Sequence, residues 1–183
     1  MSRHPVAHAL RHRRSQSKVG ETAPSDQELL PLIEAAGSVA DHSGLRPWRV
    51  IAVRGDARAR LGSAMAEAAG LDGEAGASLA RKPLRAPLLL AVVVSPQPSI
   101  KVPDWEQEAV ASGVAHALTL VLDEAGWGVM WRTGLQTRSE PVARMHGLRE
   151  GERLLGWLYV GSRDREKSGP RTPLSAERFL TTL

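Results

Sequence analysis

The chain has 183 residues, of which 42% are apolar and 24% charged, and its formal net charge is +4. This composition is typical of a single globular domain, residues 1–183, and the lack of cysteine excludes disulfides, thiolate metal sites and thiol nucleophiles. No stretch approaches the ~18 apolar residues of a membrane span, and no apolar signal-peptide core follows the N-terminus, so we expect a cytoplasmic protein without a membrane partner.

The first half of the chain alternates helical and strand patterns. Ser25 and Glu28 have the spacing of a capping box, in which each side chain bonds the other residue's backbone N–H, and they predict a helix over 26–37. The remaining patterns predict helices over 5–13 and 56–69, a less regular helix over 70–82, and a strand over 48–53.

The second half contains the most apolar segments. The run from Ala86 to Ser95 is almost unbroken, which favours a strand buried on both faces. Asp104 can cap a helix that runs to about Ala125 and is apolar nearly all round, so we expect this helix to be central and to carry Val114 at a subunit interface. The remaining patterns predict strands over 127–132 and 154–160 and a helix over 139–146.

This order of elements lacks strict βαβ regularity. It predicts an α+β fold of three layers, in which a small mixed sheet lies between helices. The tail, from about 162 to 183, is polar until Phe179 and Leu180, and we expect this apolar end to dock on a partner subunit.

Arg13, Arg14 and Ser15 form the first candidate site. Two guanidiniums and a hydroxyl can hold a phosphate through charge-assisted hydrogen bonds, but arginines at a helix C-terminus also stabilise the helix dipole. The whole basic segment 3–18 can bind phosphate, nucleic acid or nothing, and the absence of aromatic residues among its basic ones disfavours single-stranded nucleic acid.

Two loops are further candidates. The loop from Asp41 to Trp48, which contains His42, can place polar groups beside a ligand or hold a solvated histidine and a core tryptophan. The glycines of 126–134 allow a close approach to a ligand or make a tight turn, and their spacing is not that of a dinucleotide-binding motif. No metal site is evident, because the helically spaced His8 and His12 lack an acidic neighbour.

Together these segments resemble the nitroreductase family, in its small, minimal flavoprotein branch. The resemblance covers about His4 to Gly161 and rests on motifs in a shared order: Arg13-Arg14-Ser15, Asp41-His42, Pro47-Trp48, Arg85-Ala86-Pro87, Lys101-Val102-Pro103, Trp105-Glu106-Gln107-Glu108 and Trp131-Arg132-Thr133-Gly134. It implies a nitroreductase-like fold and a homodimer, with the long central helix and a bound FMN at the dimer interface.

The resemblance also implies the roles of individual residues. On one subunit, the FMN-binding residues would be Arg13, Arg14, Ser15, Trp131, Arg132 and Thr133, and the partner subunit would contribute Ser38 and His42. The segment near NADH or NADPH would be Val121, Leu122, Asp123, Glu124, Ala125 and Gly126. Relatives carry Arg at the position of Ser38, so Arg46 could replace a lost charge, and Arg171 could meet the phosphate.

The implied function is an FMN-dependent NAD(P)H oxidoreductase that reduces nitroaromatic or quinone-like small molecules by ping-pong hydride transfer, with no catalytic side chain required. Two alternatives stay open. One is other flavin chemistry on the same fold, namely dehydrogenation or flavin fragmentation. The other is a basic, non-enzymatic binding module, although we expect no nucleic-acid partner. The sequence does not decide the acceptor or the choice between NADH and NADPH.

Overall fold

The computed structural model describes residues 4–163 and 174–183, which contain six α-helices and four strands. The helices are α1 (Pro5–His12), α2 (Asp26–Ala36), α3 (Asp56–Ala69), α4 (Gly73–Ala80), α5 (Asp104–Glu124) and α6 (Glu140–Met145). The strands are β1 (Trp48–Arg54), β2 (Leu88–Val94), β3 (Trp127–Arg132) and β4 (Arg153–Ser162). Each predicted helix and strand is confirmed, and the structure adds short 3-10 helices at His42–Gly44, Lys82–Arg85, Leu135–Arg138 and Ala176–Phe179.

The four strands form one sheet in the order β1-β2-β4-β3, and all three neighbouring pairs are antiparallel. The expectation of a mixed sheet is therefore wrong for the described residues. α5 does connect the end of β2 to the start of β3, and these two strands run in the same direction. β4 lies between them and runs opposite to both, so the two parallel strands do not pair with each other.

Helices cover both faces of the sheet. β2 is fully buried along its length, as its apolar run predicted. Leu88, Leu90 and Val92 pack in one cluster with α2 and α5, whereas the alternate side chains of β2 pack in a second cluster with α3, α4 and α6. This arrangement confirms the three-layer α+β fold.

One side of α5 lies against the sheet. Val114, Leu118 and Leu122 repeat at helical spacing and are fully buried there. The assignment of Val114 to a subunit interface is therefore wrong, because a helix that is apolar on several sides does not reveal which side meets the sheet. Pro103, not Asp104, occupies the N-cap position of this helix.

The last ten residues, 174–183, leave apolar side chains in solvent. Phe179 is 75% exposed and Leu180 is 77% exposed. Docking of this end on a partner subunit stays a prediction. Among the described residues, no helix is long and apolar enough to cross a membrane, and no group of three or more His, Asp and Glu side chains could hold a metal ion.

Candidate functional site

A cavity of about 440 Å³ opens beside the C-terminal end of β3. Its floor includes alternate residues of β3 and β4, since side chains two residues apart in a strand share one face of a sheet. These are Met130, Arg132, Trp157 and Tyr159. The other lining residues are Met65, Leu79, Lys82, Arg85, Trp131, Thr133 and Gln136. The volume lies in the range of small-molecule pockets.

Positive charge dominates this cavity. Lys82, Arg85 and Arg132 line it, and its described lining residues include no Asp or Glu. The guanidinium of Arg132 lies over Tyr159, with Cζ 5.2 Å from the ring centroid, which is a cation–π contact. Burial raises the pKa of Tyr159, although Arg132 and Arg85 act in the opposite direction, so the hydroxyl is protonated at neutral pH. The cavity therefore suits a ligand with anionic or electron-rich groups.

Two buried N–H groups at the end of β3 have no hydrogen-bond partner within the described part of the chain: Trp131 Nε1 and Arg132 Nε. Leaving a buried donor without an acceptor costs roughly 1–3 kcal/mol, so such a group marks a place for a ligand or a water molecule. The two side chains serve different layers. Trp131 packs edge-on against His116 of α5, with ring centroids 4.9 Å apart, whereas Arg132 turns to the cavity and Tyr159.

Gly156 of β4 allows this close arrangement. Its φ is +147°, and a Cβ there would lie 2.4 Å from the carbonyl oxygen of Arg132 and 2.8 Å from Trp131 Nε1. A side chain at this position would therefore displace the end of β3.

The segment that follows Arg13, Arg14 and Ser15 bonds both β3 and the end of β4. The backbone N–H of Gln16 donates to the carbonyl of Val129, and that of Gly20 donates to the carbonyl of Ser162, both at 2.9 Å. Val19 lies over Gly128 of β3 and Gly161 of β4, where an added Cβ would meet it at 2.9 and 2.8 Å, so this segment crosses the sheet near the start of β3. Residues 13–15 precede this crossing and are not among the described residues that line the cavity.

Arg13 and Arg14 make different contacts. Arg13 Nη1 lies 3.5 Å from Ser15 Oγ. Arg14 Nη1 donates instead to the carbonyls of Arg11 and His12, at 2.7 and 3.1 Å, and so stabilises the end of α1. These bonds do not favour the predicted role of Arg14 in FMN binding, and the roles of Arg13, Arg14 and Ser15 there stay predictions.

Ser38 and His42 lie away from this cavity within one chain. His42 lines a second groove of about 630 Å³ beside α5, where its Nδ1 is 3.2 Å from Glu106 Oε2, and Ser38 directly precedes Val39, another residue of that lining. The Asp41 carboxylate accepts the backbone N–H groups of Leu45 and Arg46, at 3.2 and 2.7 Å, and so holds the loop around His42. The structure does not bring His42 to Trp131, and its approach to a partner's flavin stays a prediction.

The segment predicted to lie near NAD(P)H is also separate from the cavity. Leu122 is fully buried in the core, and Asp123 forms an ion pair with Arg163 at 2.8 Å. Gly126 precedes the first residue of β3, whereas the cavity adjoins the last, about 17 Å away at the rise of a strand. Contact of Val121–Gly126 with NAD(P)H therefore stays a prediction that this geometry does not support within one chain.

Sequence reasoning missed Lys82, Arg85, Gln136 and Tyr159 as residues of the site. Lys82 and Arg85 lie on the 3-10 helix Lys82–Arg85, just before the apolar strand β2. A pair of basic residues directly before a buried strand was the signal available in the sequence. Arg171 lies outside the described residues.

Comparisons with known proteins agree on one family. The model of the "Nitroreductase family" matches residues 10–162. The chain is 34% identical over 156 residues to "Putative NAD(P)H nitroreductase YdjA" of Escherichia coli (strain K12), covering 84% of this chain and 85% of that protein.

Solved structures show the same fold. A nitroreductase-like family protein from Bacillus cereus has a TM-score of 0.84 at 21% identity, over 97% of this chain and 95% of that one. The FMN and NADPH-dependent nitroreductase NfnB from Sphigopyxis sp. strain HMH has a TM-score of 0.74 at 19% identity, over 97% of this chain and 98% of that one.

Proposed function

Since the chain belongs to the nitroreductase family, we propose that it is an FMN-dependent NAD(P)H oxidoreductase that reduces nitroaromatic or quinone-like small molecules. The cavity at the end of β3 carries this proposal, because it joins Trp131, Arg132 and Thr133 to two further cations. The chemistry that FMN supplies when bound is hydride transfer from NAD(P)H and delivery to an acceptor, in two alternating half-reactions.

The residues of the cavity fit a flavin. Met65, Leu79, Met130 and Trp157 offer apolar surface for a planar ring. The three cations match a ligand with ring carbonyls and a phosphate, and the unpaired N–H of Arg132 is a donor for one of these acceptors. These features support FMN binding by this chain.

The side chains of the cavity bind and orient the ligand and exclude water. The apolar walls lower the local polarity, which strengthens the action of Lys82, Arg85 and Arg132 on any charge near them. Arg13 and Ser15 would hold the phosphate, where each bond to a charged group is worth about 1.5–3 kcal/mol. No side-chain acid or base is needed for hydride transfer, which agrees with a lining whose titratable groups are three cations and a protonated tyrosine.

We further propose a homodimer, in which Ser38 and His42 of one subunit approach the flavin of the other. Exposed apolar side chains support this assembly: Val6 and Leu10 of α1 are 70% and 51% exposed, and Phe179 and Leu180 of the tail are also uncovered. Obligate dimers commonly bury more than about 2,000 Å². A cytoplasmic location stays a prediction.

The visible spectrum of the purified protein is the first test. We expect a flavin spectrum, and the cofactor released by acid should run as FMN on chromatography. FAD, or no flavin uptake after reconstitution, would contradict the proposal. A colourless protein whose nucleic-acid binding falls steeply with salt would favour the basic binding module.

Initial rates test the order of the reaction. With NAD(P)H and a nitroaromatic acceptor, double-reciprocal plots should give parallel lines, because one site is visited by donor and acceptor in turn. Intersecting lines would show that both substrates bind together and would contradict ping-pong transfer.

A further inference from the structure

We propose that His146 is a positioning residue for the cavity: its neutral imidazole fixes the indole of Trp157, which forms part of the cavity floor. The inference rests on the proposed function for the identity of the ligand, FMN. The contact itself lies inside the protein, behind the surface that a ligand would touch.

The hydrogen bonds of His146 define its protonation state. The side chain follows α6, is 7% exposed, and has Nδ1 2.7 Å from the Val142 carbonyl oxygen and Nε2 3.0 Å from Trp157 Nε1. An indole N–H can only donate, so Nε2 must accept and cannot carry a proton. Nδ1 therefore carries the proton and donates to Val142, and only this neutral tautomer satisfies both contacts.

Trp157 connects this contact to the cavity. It is 2% exposed, lies on β4 directly opposite Arg132 of β3, and lines the cavity beside Tyr159. The indole N–H is the single polar group of its side chain. Its bond to His146 therefore fixes the tilt of the indole ring, which lies opposite Arg132 and would contact a bound ligand.

Protonation of His146 would break the contact. A proton on Nε2 would place two donors against each other across 3.0 Å. Burial lowers the pKa of His146 most strongly, the bond to Val142 raises it, and the positive charge of Arg49 lowers it again. The contact is therefore intact at neutral pH and is lost in acid, below the ordinary range of a histidine.

The charged groups around α6 do not reverse the direction of the pKa shift of His146. They include Arg49 of β1, Glu67 of α3, Arg138 before the helix, Glu140 and Arg144 within it, and Glu152 before β4. All three carboxylates are already paired, Glu67 and Glu140 with Arg144, and Glu152 with Arg49 at 2.7 Å. None of them forms a hydrogen bond or an ion pair with the imidazole among the described contacts, whose partners are Val142 and Trp157.

The test compares wild type with His146→Gln and His146→Phe between about pH 7.5 and pH 4, which extends below the range in which histidines ordinarily titrate. In ¹⁵N-labelled apoprotein, NMR follows the indole N–H of Trp157, assigned with Trp157→Phe. Fluorescence titration gives the dissociation constant of FMN at the same pH values. Glutamine can accept from the indole and donate to Val142 but does not titrate, so it is the conservative variant.

In wild type, the indole signal should shift and FMN binding should weaken roughly three- to tenfold, the worth of one hydrogen bond, in a single acid transition. In His146→Gln both should stay constant with pH. His146→Phe should show the weakened binding at every pH.

Three results would overturn the inference. The first is an acid transition that persists in His146→Gln. The second is an indole signal of Trp157 that is the same in wild type and in both His146 variants. The third is an indole shift without any change in FMN affinity. Failure of wild type to bind FMN at neutral pH would instead refute the proposed function, and the apoprotein spectra would still decide whether His146 holds Trp157.

Discussion

Replacing Glu152 by Gln should lower the free energy of unfolding by about 2–3 kcal/mol at neutral pH. The side chain of Glu152 is 3% exposed, and its two oxygens accept from Arg49 Nε and Nη2 at 2.8 and 2.7 Å. The backbone N–H of Arg149 donates a third bond at 2.8 Å. Chiefly because of the Arg49 hydrogen bonds, the pKa of Glu152 falls from 4.5 to about 2. Each tenfold change in proton affinity is worth about 1.4 kcal/mol, so the ionised carboxylate contributes about 3 kcal/mol, part of which Gln retains through its own hydrogen bonds.

The sign of the pH dependence follows from the lowered pKa. The contribution is fully present above the unfolded-state value of 4.5 and is lost as the pH falls through about 2. Urea unfolding at about pH 7 and pH 3.5, at one fixed protein concentration, measures the difference between wild type and Glu152→Gln.

Glu74→Gln is the matched control, because Glu74 pairs with Arg81 at 2.8 Å while its side chain is 86% exposed. It should leave stability within experimental error, as expected for surface ion pairs. An effect of Glu152→Gln that is the same at both pH values, or no larger than that of the control, would refute the reasoning.

Two further predictions concern the cofactor and the interface. Arg13→Ala should weaken FMN binding roughly ten- to hundredfold in a flavin titration, since it removes a bond to a charged group worth about 1.5–3 kcal/mol. Arg14→Ala should leave the affinity nearly unchanged, because that guanidinium bonds helix-end carbonyls, and equal affinities for Arg13→Ala and wild type would reduce Arg13 to a helix-end charge. Val110→Asp places a carboxylate in the groove beside His42 and should give monomers in light scattering at low micromolar concentration. An intact dimer would show that this groove is outside the interface.

The sequence predicted those elements whose signals are local. The capping box of Ser25 and Glu28 forms as expected, with both reciprocal bonds present. The apolar run around β2 is buried on both faces, because no side of it is polar enough to meet water. Such signals depend on neighbouring residues alone and therefore survive folding unchanged.

The missed features depend on contacts between distant segments. Lys82 and Arg85 reach the cavity because α3 and α4 bring the chain back to the sheet before β2, and no local pattern encodes that return. The contact of His146 with Trp157 likewise requires α6 to fold back over β4. Val114 was misplaced because helical periodicity shows an apolar side without showing what lies against it.

The alternation of side chains along β3 limits how the length of this segment can change in descendants of the chain. Trp131 meets the α5 layer and Arg132 meets the cavity, since consecutive residues of a strand point to opposite faces. Insertion or deletion of one residue within β3, before Trp131, would exchange the two side chains between the layers. A guanidinium would then enter the packing around His116, and the cavity would lose one of its three cations. The surrounding loops can vary in length, but this strand can vary only by substitution if the cavity is to survive.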